Sequence, residues 1–220
     1  MKILPFILVS LLLLSSCLEN SPDFLEAQPT DSKNLKKFPR KLHGNFKVDD
    51  DEVLTISKFM ILQTGLENIE ISLMEIDTNE ALFIKNDTLF DSEEGDKIPI
   101  KILHDTAFGI YDWIDTAFHI SDKNILRKFK GQFFLNEKQD DNLWKVVKLR
   151  LIKSDGSIEF ATIHAKNEAE EVKNITPLID IEAKNDTINH YKLKPTKKEL
   201  RLLIQSTNTF TDKEVYKRID

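Results

Sequence analysis

The chain has 220 residues, of which 40% are hydrophobic, fourteen of them Phe, and 31% are charged. This mixture builds a core and solvates a surface, which excludes a disordered chain or one embedded in a membrane, and the length suits one domain or two small ones. A formal net charge of −6 argues against a dedicated nucleic-acid binder, which would present a basic face.

The N-terminus departs from that average. Met1-Lys2 is a minimal positive start, and Ile3 to Leu14 is an apolar run broken only by Pro5 and Ser10. Twelve helical residues span about 18 Å, well short of a roughly 30 Å hydrocarbon core, so the run fits a signal-peptide core rather than a spanning helix. Leu14-Ser15-Ser16-Cys17 follows: a branched apolar residue, two small ones and a cysteine. This segment resembles the lipobox of bacterial lipoproteins. The resemblance covers the first 17 residues and implies cleavage between Ser16 and Cys17, with diacylglyceryl on the sulfur and an acyl group such as palmitate on the freed amine. Two or three chains anchor stably where one is marginal. Cys17 is also the only cysteine, so the body has no disulfide and no thiolate chemistry. Cleavage leaves a charge of about −7. Residue 18 is Leu rather than Asp, which by the same resemblance favours the outer membrane.

Residues 17–40 read as the lipidated cysteine and a flexible tether, punctuated by Pro22, Pro29 and Pro39. Residues 41–220 read as one β-rich globular domain with a helical tail from about 195. Short apolar runs separated by polar turns predict strands over 42–48, 53–62, 69–76, 82–84, 98–103, 107–111, 117–120, 131–136, 144–152, 158–165 and 175–182. The spacing predicts a mainly β fold of antiparallel sheets, as a sandwich, barrel or extended meander, with short C-terminal helices. The clearest unit is a hairpin with Asp155-Gly156 at its tip, which sets Leu151 against Phe160 and Leu149 against Thr162, with Lys148 and Arg150 outward. Asp-Thr-Ala-Phe recurs at 105–108 and 115–118, with Asp-Thr echoes at 87–88 and 186–187, and reads as turn-into-strand chemistry. Near the C-terminus, Thr196 and Glu199 make a capping box for a helix carrying Leu200, Leu203 and Ile204, and Thr211 to Glu214 offers a second box.

Chemistry is sparse. The five histidines are scattered, with no pair at metal-ligand spacing, and His164 reads as a hydrogen-bonded core or rim residue. Asp49-Asp50-Asp51-Glu52 lacks the alternation of a calcium loop and reads as a solvated turn. Ser154 and Ser157 belong to the hairpin turn, and six glycines leave little for a phosphate loop. No catalytic, cofactor or metal residue is nominated. Among the aromatics, Tyr111 and Trp113 are the candidates for a surface groove. The leading expectation is a lipid-anchored envelope protein acting as a binding or assembly module. Its partners would be the membrane, through Cys17, and an envelope protein or glycan, with no nucleic acid. An envelope glycan or peptide hydrolase with paired carboxylates, and a toxin-neutralising lipoprotein, are the alternatives.

Overall fold

The computed structural model describes residues 20–184 and 187–219; the apolar leader, Ser16, Cys17 and Asp186 lie outside them. The described chain is mainly β and forms two compact units. Of the described residues, unit 1 comprises those within 20–47, 54–62 and 116–219; unit 2 comprises Val48–Val53 and Gln63–Asp115. No helix among the described residues is long and apolar enough to cross a membrane.

Unit 1 begins with β1 (Asp23–Phe24) and β2 (Gly44–Lys47), and includes most of β3 (Glu52–Ile56) and the first residues of β4 (Met60–Ser72). In unit 2, β4 continues into helix α1 (Leu73–Thr78), then β5 (Leu82–Lys85), β6 (Thr88–Asp91), β7 (Lys97–Leu103) and β8 (Thr106–His119). The end of β8 belongs to unit 1, followed by β9 (Asn124–Phe129), β10 (Gln132–Lys138), β11 (Trp144–Leu151) and β12 (Ile158–Thr162). Helix α2 (Ala165–Lys173), β13 (Leu178–Lys184), β14 (Thr187–Leu193), helix α3 (Lys197–Gln205) and β15 (Asp212–Arg218) complete it.

In unit 1 the hydrogen-bonded order is β13-β14-β1-β11-β12-β15-β2-β3-β4, and β10 and β9 extend from β11. In unit 2 it is β4-β8-β7-β6-β5. The sheet is mostly antiparallel, with β1 parallel to β14, and neither order closes into a barrel.

The sheet of unit 1 is covered on both faces, which explains its near-continuous apolar strands. On one side, α2 and α3 bury Ala169, Val172, Leu200 and Leu203 against Phe134, Val146, Ala161 and Tyr191. On the other, Phe133, Leu149, Ile158 and Phe160 are at most 2% exposed. Double coverage also changes the hairpin. The pairing is Leu149 with Phe160 and Leu151 with Ile158, two residues from the expected register, because the turn spans 152–157 and Ile152 bonds with both Gly156 and Ser157. A two-residue slip keeps every side chain on its expected face. Of the two residues expected outward, Arg150 is exposed, whereas Lys148 is buried, 6% exposed.

The segment expected as a tether is built into unit 1 from Asn20 onward. Phe24 pairs with Trp144, Asp23 bridges Lys145 (3.0 Å) and His190 (2.8 Å), and Phe24, Ala27 and Phe38 are buried. Its prolines and polar residues conceal three buried apolar anchors too widely spaced to show a period. At the other end, the second predicted box is instead β15, paired with β12 and β2, whereas the Thr196–Glu199 capping box of α3 forms as expected.

Unit 2 has a simpler build. Ser72 and Glu75 cap α1 reciprocally, ending the strand expected to run to Ile76. The helix lays Ile76 on one sheet face, over Leu82, Leu89, Ile98, Ile100 and Ala107. Asn86 and Asp87 both hold positive φ (51° and 54°) in the two-residue β5–β6 turn, as a type I′ turn requires. The Asp-Thr reading as turn chemistry holds there and at Asp105, which opens β8; Asp115-Thr116 lies inside β8.

Candidate binding face

The two aromatics nominated from the sequence, Tyr111 and Trp113, both lie in β8 of unit 2. Trp113 is buried, 7% exposed, against Gly65 of β4, where an added Cβ would sit 2.5 Å from the indole. It takes the opposite sheet face from Asp112 because strand side chains alternate. Tyr111 is half-buried and donates its hydroxyl to Asp96 (2.7 Å). Burial, that hydrogen bond and the Asp96 charge push its phenol up to about 12.

Charge is divided unevenly between the units. Unit 2 holds seventeen Asp and Glu but only three cations, Lys85, Lys97 and Lys101; the rest of the chain holds twenty-eight Lys and Arg against twenty acids. The overall −6 conceals this opposition because the two surpluses largely cancel.

All three lysines of unit 2 fall on the sheet face opposite α1. The register sets Lys85 beside Thr88, Phe83 beside Phe90, Phe90 beside Lys97 and Lys101 beside Phe108. Directly opposed residues share a face, as do alternate residues along a strand. The face therefore continues along β8 as Phe108, Ile110, Asp112 and Ile114. Phe83 and Phe90 stack at 5.0 Å, and the Lys97 ammonium stands 5.9 Å from the Phe90 ring. Ile110 is 58% and Ile114 71% exposed. Among the described residues, no carboxylate closes an ion pair with Lys85, Lys97 or Lys101.

Large apolar side chains held in water, set among lysines that close no ion pair, form a surface suited to another macromolecule. The sequence reading missed Phe83, Phe90, Phe108 and Ile110 as a group. The alternation Lys97-Ile-Pro-Ile-Lys-Ile was visible in it, but which member faces solvent depends on where α1 lies.

Elsewhere, several polar residues of unit 1 hold the structure together. The Glu168 carboxylate of α2 accepts from the Phe210 N–H (2.7 Å), the Thr211 N–H (2.9 Å) and the Thr211 hydroxyl (2.6 Å), holding the loop after α3. His164 caps α2, its Nδ1 accepting from the Asn167 N–H (3.3 Å), a role within the rim position expected for it. The acidic run at 49–52 forms the turn between β2 and β3, and no group of three or more His, Cys, Asp or Glu among the described residues is arranged to hold a metal ion. No protein-family model, curated protein or solved structure matches the chain.

Proposed function

We propose that this protein is a cell-envelope lipoprotein, held at the outer membrane through lipid on Cys17, whose unit 2 serves as a protein-binding module. The observation that carries the binding role is the gathering of the three unit 2 lysines on its exposed apolar face. In a unit with seventeen carboxylates, cations spent on one face select for an incoming negative surface and keep the rest of the unit repulsive to it. The fitting partner is a protein surface with an apolar ridge flanked by carboxylates. Phe108 and Ile110 supply burial; the lysines supply register and orientation.

A photo-reactive residue placed at Ile110 in the membrane-held chain should yield one discrete adduct. The same group at Met74, exposed on α1, should yield none, and carbodiimide should join Lys97 or Lys101 to an acidic residue of the captured protein. Equal labelling from the two positions, or no adduct from Ile110, would overturn the reading.

A further inference from the structure

A second surface, in unit 1, has the opposite electrostatic character. Three segments, residues 32–47, 54–62 and 123–136, contain no Asp or Glu at all. The first presents Lys33, Lys36, Lys37, Arg40 and Lys41 to solvent, and the second adds exposed Lys58. The third adds Lys123, Lys128 and Lys130, the last at the tip of the β9–β10 turn. Folding brings the three together. Leu35 bridges Leu126, with its N–H 2.7 Å from that carbonyl, and the Phe38 N–H donates to the Lys58 carbonyl at 2.9 Å. Lys41 and Lys128 stand over the same Phe133 ring, at 5.3 and 5.8 Å. Beside them Phe59 is 43% exposed with the Lys58 ammonium 4.7 Å from its ring.

We propose that this patch rests on an anionic phospholipid surface. Nine exposed cations from three acid-free segments exceed what solubility asks of a chain that is acidic overall, and so many basic residues together are enough to bind an anionic bilayer. An exposed aromatic among lysines suits the same boundary, its ring entering the headgroup layer. The covalent path adds a second argument, which rests on the Cys17 anchor proposed above. The Asn20 carbonyl is already fixed by the Ala165 N–H at 2.7 Å, and three residues reach at most about 11 Å. On so short a leash unit 1 lies against the bilayer, within about one Debye length of its charge at physiological salt.

The test uses the full chain with vesicles of phosphatidylcholine alone or mixed with phosphatidylglycerol, reading flotation and amide hydrogen exchange together. Segments 33–41 and 123–131 should gain protection on the mixed vesicles only. High salt should erase it, as should the combined Lys36→Glu, Lys37→Glu, Lys41→Glu and Lys128→Glu variant, whose circular dichroism should match the parent. Partitioning of that variant onto mixed vesicles should fall by at least about tenfold. The same protection on both vesicle types, or none on either, overturns the proposal. So does a salt-sensitive dimer abolished by the charge reversals, which would assign the patch to the acidic unit of a second copy. Flotation on both vesicle types without phosphatidylglycerol-dependent protection leaves the anchor standing and removes the patch. Flotation and protection on the mixed vesicles alone would do the reverse.

Discussion

Lys148 shows how far a residue's neighbours override its type. Its strand was legible, and so was the face it occupies. Its burial was not, because coverage of that face comes from α2, α3 and the loop at Phe210, elements distant in sequence. The ammonium stands 4.6 Å from the Phe210 ring, and burial pushes its pKa down to about 8, with the Glu159 charge opposing. Between that value and the ordinary 10.5 the unfolded chain holds a proton the folded chain has lost, so this residue makes stability rise with pH across the window and costs stability below it. Lys148→Met should therefore stabilise unit 1 at neutral pH by about 1–3 kcal/mol, with the gain shrinking as pH climbs towards 10, as urea titrations at several pH values would show. A gain that does not vary with pH would mean that packing, not charge, sets the cost. Trp113 teaches the same lesson at a strand. Its place beside Asp112 suggested a surface, yet strict alternation sends the pair to opposite faces. Gly65, which falls between two predicted strands, lies inside β4 and allows the indole its close approach.

At the scale of elements, local rules succeeded where the governing contacts are local. The α3 capping box needs only residues 196–199, and Thr196 accepts from the Glu199 N–H at 3.3 Å while Glu199 accepts from the Thr196 N–H at 2.8 Å. Thr196→Ala should cost about 1 kcal/mol, and Thr196→Ser should restore most of it, measured by chemical denaturation. The box at 211–214 has the same residue types, but there the Glu168 carboxylate takes the Thr211 N–H and hydroxyl that would start a helix. With the cap engaged elsewhere, 212–218 fills the gap between β12 and β2 as a strand. The apolar runs predict β4 and β8 each as two pieces because polar residues, and Gly65 in β4, interrupt them.

For the molecule as a whole, the opposed charges of the two units have a stability consequence. Unit 2 must fold against the mutual repulsion of seventeen carboxylates, with only three lysines to offset it. Added salt should screen that repulsion, so amides of β5 to β8 should gain hydrogen-exchange protection between low and moderate ionic strength, with a smaller change in the β10–β12 region of unit 1. An equal response in both would show that the partition has no energetic weight.

The sequence by itself determined the mainly β class, the turn and cap chemistry and most strand positions, because each depends on spacing within a dozen residues. It carries too the apolar leader and the Leu14–Cys17 pattern on which the proposed anchor rests. Only the tertiary structure decided which face of each strand meets water, that the proline-rich start belongs to the core, and that cations scattered through the chain collect into two surfaces. Those outcomes depend on which elements meet in space, as when Phe24 pairs with Trp144 or Leu35 bridges Leu126, and no local period encodes a partner that far away.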